Sequence, residues 1–375
     1  MSKLPNVGTT IFSKMSKLAF EHDAINLSQG FPNFPVDELL TSILEKSAKL
    51  AVHQYAPMPG SPVLMQHIAS LVESSYARTV SVEDELLVTA GATQGIFTTI
   101  LALIKSGDEV IILDPSYDCY EPAVLVAGGI PVRISLKNDF NPDWDRIQNA
   151  VNSKTKMIIT NNPHNPSGRV WTESDMVALE NIVEKNEKLL ILSDEVYEFI
   201  TFENRHISVN SRKKLIDNSI VVSSFGKTFH ITGWKVGYLV APKKWMDEIK
   251  KVHQFNVFSV NSVAQHCLAT YLPQKEVQTL SAFYQDKRDF FRNRLVNSKF
   301  KLLPCEGTYF QTANYSEISN KGDVDFCEEL TKKHGVAAIP ISVFNSDAKD
   351  SNIVRFCFAK DEETLIKATE RLCKI

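Results

Sequence analysis

Short apolar runs alternate with longer amphipathic segments through the middle of the chain. The runs are rich in Val, Ile and Leu, and few polar residues interrupt them. This pattern is typical of strands that are buried on both faces of a sheet. The predicted strands are Leu86–Thr89, Val110–Leu113, Met157–Thr160, Leu189–Ser193, Ile220–Ser223 and Tyr238–Ala241.

Helix-length segments lie between these strands, for example Gln94–Lys105 and Glu173–Lys185. Alternating strands and helices predict an α/β fold, with a mainly parallel central sheet that helices cover on both faces. Ligands of such sheets bind beyond the carboxyl ends of the strands. Polar residues that directly follow a predicted strand are therefore the first candidates for a functional site.

The pattern changes after about Pro273, where a charged helical stretch, Ser281–Asn297, begins a different arrangement. We predict a large domain over residues 36–273 and a smaller α+β domain over residues 274–375, which the N-terminal segment 1–35 joins. The predicted strands of the smaller domain are Thr308–Ala313, Ala337–Pro340 and Val354–Ala359, and its further helices are Asp325–His334 and Glu362–Cys373.

Composition narrows the class of protein. The 375 residues include 41 Lys and Arg and 44 Asp and Glu, and there is no basic run, which argues against a nucleic-acid-binding protein. No apolar run has the length of a membrane span, and the N-terminal sequence lacks the apolar core of a secretory signal. The six scattered cysteines form no CxxC pair, so we expect buried free thiols, no metal site and a cytoplasmic location.

Two strand ends carry a candidate phosphate site and a candidate nucleophile. Ala90–Gly95 opens a helix, and its small residues are typical either of a backbone phosphate site or of a closely packed turn. The segment is not GxGxxG, which disfavours a dinucleotide, and Gly226-Lys227-Thr228 lacks the upstream glycine of a P-loop. Lys227 directly follows a buried strand, so it is either a solvated lysine or a desolvated nucleophile.

Two other strand ends carry acidic and amide side chains. Asp194 follows a predicted strand, and it either caps the next helix or provides a carboxylate for a protonated nitrogen, with Tyr197 nearby. Asn165 lies in a proline-rich loop that is either a simple turn or part of a site, and we expect His164 in that loop to be structural. A phosphate site, a carboxylate, a phenol, an amide and a lysine on successive strand ends are the groups that pyridoxal phosphate needs.

At these residues the chain resembles the fold-type I, class I/II aminotransferases, which depend on pyridoxal phosphate. The resemblance covers nearly the whole chain, with the motifs in the family's order. Within the family the chain is most similar to the branch of bacterial methionine aminotransferases and kynurenine aminotransferases, through Asn26–Pro35, Asp114–Pro122 and His53-Gln54-Tyr55. The motifs are Asn165–Gly168, Ser193–Tyr197, Ser224–Thr228, Thr232–Gly237 and Val354–Phe356.

The resemblance implies a role for each residue at the cofactor. Lys227 would form the covalent Schiff base with pyridoxal 5'-phosphate and then move the substrate proton. Asp194 would pair with the ring nitrogen, while Tyr197 and Asn165 would bond the phenolic oxygen of the ring. Tyr117 would stack on the ring, and the phosphate would be held by Ala92, Thr93, Ser224 and Lys235.

The resemblance also implies a substrate site and a subunit arrangement. Arg355 would bind the substrate α-carboxylate, helped by Asn165 and the backbone of Gly30. Tyr55 would reach the phosphate in a neighbouring subunit, which implies a homodimer with shared active sites. The expected pocket residues are aromatic: Phe12, Tyr55, Tyr117, Phe258 and Tyr309.

Departures from the family pattern bear on the substrate. Thr93 stands where kynurenine aminotransferases carry an aromatic residue, and Phe12 stands in place of an expected Trp. Lys235 stands where aspartate aminotransferases carry Arg. The segment His253–Gln265 has no Arg for a second carboxylate, so we expect acidic amino acids to be poor donors.

The implied activity is ping-pong transamination, in which methionine and other large apolar or aromatic L-amino acids become 2-oxo acids and a 2-oxo acid accepts the amino group. The alternatives are a kynurenine, aromatic or glutamine aminotransferase and a carbon–sulfur β-lyase on the same scaffold. A transcriptional regulator is disfavoured because no spare length remains for a DNA-binding domain. An inactive relative is disfavoured because Lys227, Asp194 and Arg355 are all retained.

Overall fold

The computed structural model of the protein describes residues 2–5 and 7–375. The strands are β1 Ile25–Asn26, β2 Leu86–Thr89, β3 Glu109–Asp114, β4 Ile130–Ser135, β5 Thr155–Asn161, β6 Leu190–Asp194, β7 Ser219–Ser224, β8 Gly237–Val240, β9 Lys301–Leu302, β10 Phe310–Asn314, β11 Val336–Ala337, β12 Ile339–Pro340 and β13 Ile353–Cys357. The α-helices are α1 Ile11–Glu21, α2 Glu38–Ser47, α3 Pro62–Tyr76, α4 Ala92–Leu103, α5 Tyr120–Ala127, α6 Trp144–Ala150, α7 Glu173–Lys185, α8 Lys213–Ile216, α9 Phe225–Thr228, α10 Lys243–Asn256, α11 Ser262–Tyr271, α12 Thr279–Arg294, α13 Asp323–His334 and α14 Glu362–Leu372.

Within the described residues the central sheet has seven strands in the order β2-β8-β7-β6-β5-β3-β4. Five neighbouring strands, from β7 to β4, run parallel, while β8 lies antiparallel to both β2 and β7. The predicted α/β fold with a mainly parallel sheet is confirmed. The edge strand β4 was not predicted, because Pro131 and Arg133 interrupt its apolar run. An edge strand tolerates both residues, since it forms ladder hydrogen bonds on one side alone.

Side chains that alternate along the strands build a core on each face of this sheet. In β6, Ile191 packs in one core with Leu64 of α3 and Leu268 of α11. The next residue, Leu192, packs in the opposite core with Ile96 of α4. Strands covered on both faces need apolar side chains at every position, which explains the uninterrupted apolar runs.

A second sheet lies in the C-terminal part, with the antiparallel order β12-β13-β10-β9. The single predicted strand Ala337–Pro340 is wrong, because the chain changes sheets there. Strand β11 pairs in parallel with β1, while β12 pairs with β13. Met15 of α1 and Leu27 pack in the same core as Phe326 of α13. The division of the chain at residues 35 and 273 remains a prediction.

All six cysteines lie among the described residues and are free thiols. Four of them are buried, as predicted: Cys267, Cys305, Cys327 and Cys357. Cys119 is partly buried, and Cys373 is exposed, so the prediction of burial is wrong for Cys373. This residue follows the last turn of α14 and lies outside the apolar face of the helix.

No helix among residues 2–5 and 7–375 combines the length and the apolar character that crossing a membrane requires. The same residues contain no group of three or more His, Cys, Asp or Glu side chains placed to bind a metal ion.

Candidate active site

A cavity of about 310 Å³ lies at the carboxyl ends of β5, β6 and β7, where residues from β13 also reach it. Most of the predicted site residues line this cavity together. They are Phe12, Gly30, Ala92, Thr93, Tyr117, Asn165, Asp194, Tyr197, Ser224, Lys227, Lys235 and Arg355. Residues that are far apart in the sequence therefore meet in one place, as the strand-end rule for parallel sheets predicts.

Three predicted pocket residues lie outside the lining of the cavity. Tyr309 is buried behind it, and its hydroxyl donates a hydrogen bond to the carbonyl oxygen of Gly30 at 2.6 Å. Tyr55 and Phe258 contact each other edge to face, with ring centroids 5.4 Å apart. Both are solvent-exposed on this single chain, with 81% of Tyr55 and 47% of Phe258 accessible.

The turn between β2 and α4 forms a cradle suited to a phosphate. Gly91 has φ +79°, and the helix begins at the next residue, so the backbone N–H groups of Ala92 and Thr93 lie in its first turn. Those N–H groups have no partner within the helix and attract anions. A Cβ on Gly91 would lie 3.2 Å from Nζ of Lys235, so glycine lets this ammonium group approach the turn. The hydroxyl of Ser224 adds another donor at the cavity.

Lys227 lies in α9, directly after β7, with its amine inside the cavity. Its Nζ donates a hydrogen bond to the carbonyl oxygen of Gly30 at 3.3 Å. Nζ also lies 5.7 Å from the ring centroid of Tyr197 and 5.6 Å from that of Tyr309. Burial lowers the pKa of Lys227 to about 8, and the positive charge of Arg355 contributes to the shift. An amine with a lowered pKa is a better nucleophile and base at neutral pH.

Asp194 is the last residue of β6, and its buried carboxylate faces the cavity. Burial raises the pKa of Asp194 to about 6, although two donors favour its charged form. The hydroxyl of Tyr120 donates to Oδ2 at 2.7 Å, and the backbone N–H of Val196 donates to Oδ1 at 3.3 Å. Tyr120 is not among the predicted site residues, although it lies three residues after the predicted ring-stacking Tyr117.

Asn161 connects the acid to the substrate side of the cavity. It pairs in register with Asp194, and its side-chain Nδ2 donates to the carbonyl oxygen of Asp194 at 3.0 Å. Its Oδ1 accepts from the backbone N–H of Asn165 at 2.8 Å. Asn161 was also missed, although it directly follows a predicted strand and the strand-end rule points to it. His164, three residues later, is buried, and bonds with Ser167 and the carbonyl of Pro115 hold its ring.

Arg355 is buried in β13, with its guanidinium in the cavity. Nη1 donates to Oδ1 of Asn165 at 2.7 Å and Nη2 to the carbonyl oxygen of Ser28 at 3.1 Å. The guanidinium carbon lies 3.8 Å from the ring centroid of Phe310, which is also not among the predicted site residues. Nε has no hydrogen-bond partner among the described residues. A buried guanidinium with free N–H donors is suited to binding a carboxylate.

These residues fit the cofactor that the sequence predicts. Lys227 supplies the amine, Asp194 a buried carboxylate for a protonated ring nitrogen, and the cradle at Gly91 the donors for a phosphate. The unpartnered Nε of buried Arg355 is a second sign that the cavity binds an anionic ligand, because buried polar atoms are ordinarily hydrogen-bonded.

Comparison with known proteins agrees with this geometry. The family model described as aminotransferase class I and II matches residues 22–372. The chain is 47% identical to the methionine aminotransferase of Escherichia coli strain K12 over 375 residues, which is 99% of this chain and 97% of the relative. It is 32% identical to the kynurenine–oxoglutarate transaminase of Dictyostelium discoideum, over 98% of this chain and 94% of that protein.

The structure is also similar to the crystal structure of YbdL from Escherichia coli, which was identified as having a methionine aminotransferase function. The TM-score is 0.97 at 46% sequence identity, and the match covers 100% of this chain and 99% of the other.

Proposed function

The chain belongs to the class I and II aminotransferases, which depend on pyridoxal phosphate, and we propose that it transaminates methionine and other large apolar or aromatic L-amino acids with a 2-oxo acid as acceptor. The observation that carries this proposal is that Lys227, Asp194 and Arg355 line one cavity. These side chains provide the amine, the acid and the carboxylate-binding group that a transamination requires. The similarity to methionine aminotransferase supports the choice of donor.

The charges in the cavity favour donors with a single carboxylate. The basic residues among its described lining are Lys227, Lys235 and Arg355. Lys235 lies at the phosphate cradle, Lys227 holds the cofactor, and Arg355 binds the α-carboxylate. This assignment leaves no basic residue of the lining for a second carboxylate, while Phe12, Ile96 and Phe310 present apolar surface. Acidic amino acids would be poor donors, because burying an unpaired carboxylate is costly.

When bound, pyridoxal phosphate supplies a carbonyl group that condenses with amines and a ring that withdraws electrons from the bond to the substrate Cα hydrogen. Lys227 would bind it covalently, and the cradle at Ala92 and Thr93, with Ser224 and Lys235, would anchor its phosphate. Asp194 would keep the ring nitrogen protonated, because a buried carboxylate gains most from a positive partner. Tyr197 and Asn165 would position the phenolic oxygen, and Tyr117 would cover one face of the ring.

Lys227 then moves the proton, and Arg355 orients the amino acid. The lowered pKa of Lys227 leaves part of the amine unprotonated at neutral pH, so its Nζ would accept and carry the proton that leaves the substrate Cα. Arg355, steadied by Asn165 and stacked on Phe310, holds the α-carboxylate so that the reacting bond faces this amine.

We further propose a homodimer in the cytoplasm, with Tyr55 acting in the active site of the partner subunit. The rings of Tyr55 and Phe258 contact each other and have exposed fractions of 81% and 47%, although soluble monomers rarely leave large aromatic residues together on the surface. A second copy that covers them would bury this surface. The cysteines are free thiols, which suits a reducing compartment.

The absorbance spectrum of the purified protein tests the proposed function. We expect a yellow band from the bound cofactor that bleaches when L-methionine is added without an acceptor, and a slower change with L-glutamate. A band that persists with methionine but bleaches with kynurenine would indicate a kynurenine aminotransferase, like the Dictyostelium relative, and would contradict methionine as the donor. Ammonia release from cystathionine without an acceptor would indicate a β-lyase. No band after addition of the cofactor would contradict the role of Lys227.

A further inference from the structure

The tripeptide Ser28–Gly30 lies between the two groups that react with and bind the substrate. The carbonyl oxygen of Ser28 accepts from Nη2 of Arg355 at 3.1 Å. The carbonyl oxygen of Gly30 accepts from Nζ of Lys227 at 3.3 Å. Both backbone groups therefore contact the site, and the residue between them, Gln29, lines the cavity with its side chain.

The carboxamide of Gln29 connects this tripeptide to helix α1. Its Nε2 donates to the carbonyl oxygen of Phe12 at 2.9 Å and to Oγ of Ser16 at 2.6 Å. The amide nitrogen has two hydrogens, so these bonds use both. A carbonyl oxygen can only accept, which fixes the orientation of the amide group. Gln29 thus holds the first turn and a half of α1 against the cavity.

Phe12 is the part of α1 that this link positions over the substrate site. Its ring lines the cavity and lies 5.5 Å from the guanidinium carbon of Arg355. Its centroid is 5.8 Å from that of Phe344. A substrate whose carboxylate is held by Arg355 extends its side chain into surroundings that include this ring. The apolar wall that Phe12 provides depends on where α1 is held.

We propose that Gln29 is a specificity-determining positioning residue, which fixes Phe12 and thereby selects long apolar side chains over short ones. The proposal rests on the proposed function. Loss of the two hydrogen bonds frees the first turns of α1, and Phe12 no longer packs closely against the substrate side chain. Alanine has too short a side chain to benefit from this contact, so its turnover depends on Gln29 much less.

The test compares Gln29→Leu with Gln278→Leu, the same change at an exposed position whose side chain makes no capping hydrogen bond. We expect Gln29→Leu to lower kcat/KM for methionine about tenfold, mainly through KM, and kcat/KM for alanine less than threefold, which is the size of effect that apolar pocket contacts have. Gln278→Leu should change neither value. A Gln29→Leu variant that keeps the ratio of methionine to alanine would overturn the proposal.

Two readouts do not depend on turnover. The 2-hydroxy analogue of methionine cannot be transaminated, and its dissociation constant by calorimetry should rise about tenfold in Gln29→Leu. Amide hydrogen exchange over residues 11–21 should be faster in the cofactor-free variant than in the cofactor-free wild type. Unchanged exchange and unchanged affinity would also refute the proposal.

A second variant guards against a general structural effect. Phe12→Leu should cause a similar loss of methionine selectivity, and the double variant should be little worse than either single one, because both changes remove the same contact. Additive effects would show that Gln29 acts in another way.

If the wild type fails to react with methionine, the proposed function fails. If it reacts and the Gln29 variant keeps its selectivity, the Gln29 proposal alone fails.

Discussion

The hydroxyl of Tyr120 donates a hydrogen bond to Oδ2 of Asp194 over 2.7 Å. Both side chains are buried, so this donor acts on the carboxylate with little screening by water. The bond favours the charged form of Asp194, while burial opposes it and raises the pKa of Asp194 to about 6. Tyr120 therefore helps to keep the acid ionised at neutral pH, the state in which it would pair with a protonated ring nitrogen.

The variant Tyr120→Phe should weaken both cofactor binding and catalysis. A hydrogen bond to a charged group contributes about 1.5–3 kcal/mol, so we expect the dissociation constant of the cofactor to rise about tenfold or more. Titration of the cofactor-free protein by absorbance measures this constant. Tyr315→Phe is the matched control, because its hydroxyl donates to the carbonyl oxygen of Lys321, in the second sheet. Equal cofactor affinity in both variants would contradict the role of Tyr120.

The variant Lys227→Ala should lose turnover by at least about 10⁴-fold, because it lacks both the covalent attachment and the proton-transferring amine. A coupled assay for 2-oxo acid release measures the loss. Borohydride reduction followed by mass spectrometry should find the cofactor attached to Lys227 in the wild type and no attachment in the variant. The exposed Lys367→Ala provides the control. Attachment at another lysine, with retained turnover, would rule out this assignment.

The variant Arg355→Lys should retain the cofactor but bind amino acids poorly. Arg355 directs two N–H donors at Asn165 and Ser28 and keeps its other donors for a carboxylate. A lysine ammonium group cannot reproduce this arrangement. Breaking a buried charged contact costs about 2–5 kcal/mol, so kcat/KM for methionine should fall by a factor between about 30 and about 5 × 10³. Steady-state kinetics test this, with the exposed Arg371→Lys as control. A fall of less than threefold would show that another group binds the carboxylate.

The variant Lys227→Met, which lacks the buried amine, should be more stable than the wild type at neutral pH when both are free of cofactor. Burial lowers the pKa of Lys227 from 10.5 to about 8 in the folded state. Between pH 8 and 10.5 the unfolded chain therefore binds more protons at this residue than the folded chain, and this contribution to the free energy of unfolding rises with pH. Below pH 8 the buried charged amine lowers the free energy of unfolding by its full amount, about 3 kcal/mol.

We therefore expect cofactor-free Lys227→Met to unfold at a higher urea concentration than the cofactor-free wild type at pH 7, with a difference that narrows as the pH rises from 8 towards 10.5. Comparison of the two proteins at each pH removes the contributions of other titrating groups. A difference that does not depend on pH would show that the amine is not desolvated.

Mixed dimers test the position of Tyr55. Neither Tyr55→Ala nor Lys227→Ala alone should have full activity. Equal amounts of the two variants are mixed, and their subunits are exchanged through mild denaturation, so that about half of the dimers are mixed by random pairing. If Tyr55 acts in the partner's site, one of the two sites in each mixed dimer has both residues. Activity should then recover to about a quarter of the wild-type value. Light scattering should give the mass of two chains. A mixture with no recovery would mean that Tyr55 does not act between subunits.

The sequence by itself determined six of the seven strands of the large sheet and the residues at their ends. Runs such as Leu190–Leu192 had to be buried on both faces, because each of their residues is apolar. The residues that follow them, Asp194 and Lys227, could then be placed at one edge, since parallel strands carry their carboxyl ends to the same side. Helix Glu173–Lys185 was predicted to the residue because its capping residue Thr172 and its apolar spacing are both local signals.

The tertiary structure alone decided which partners these residues have. The bonds from Tyr120 to Asp194 and from Gln29 to Phe12 join positions on separate elements, and no local pattern encodes them. The edge strand β4 and the change of sheets between β11 and β12 likewise depend on which neighbour is available for pairing. Local propensity and periodicity report on the solvent exposure of each segment. Partners are selected by packing and hydrogen bonding over the whole fold, which a single sequence does not display.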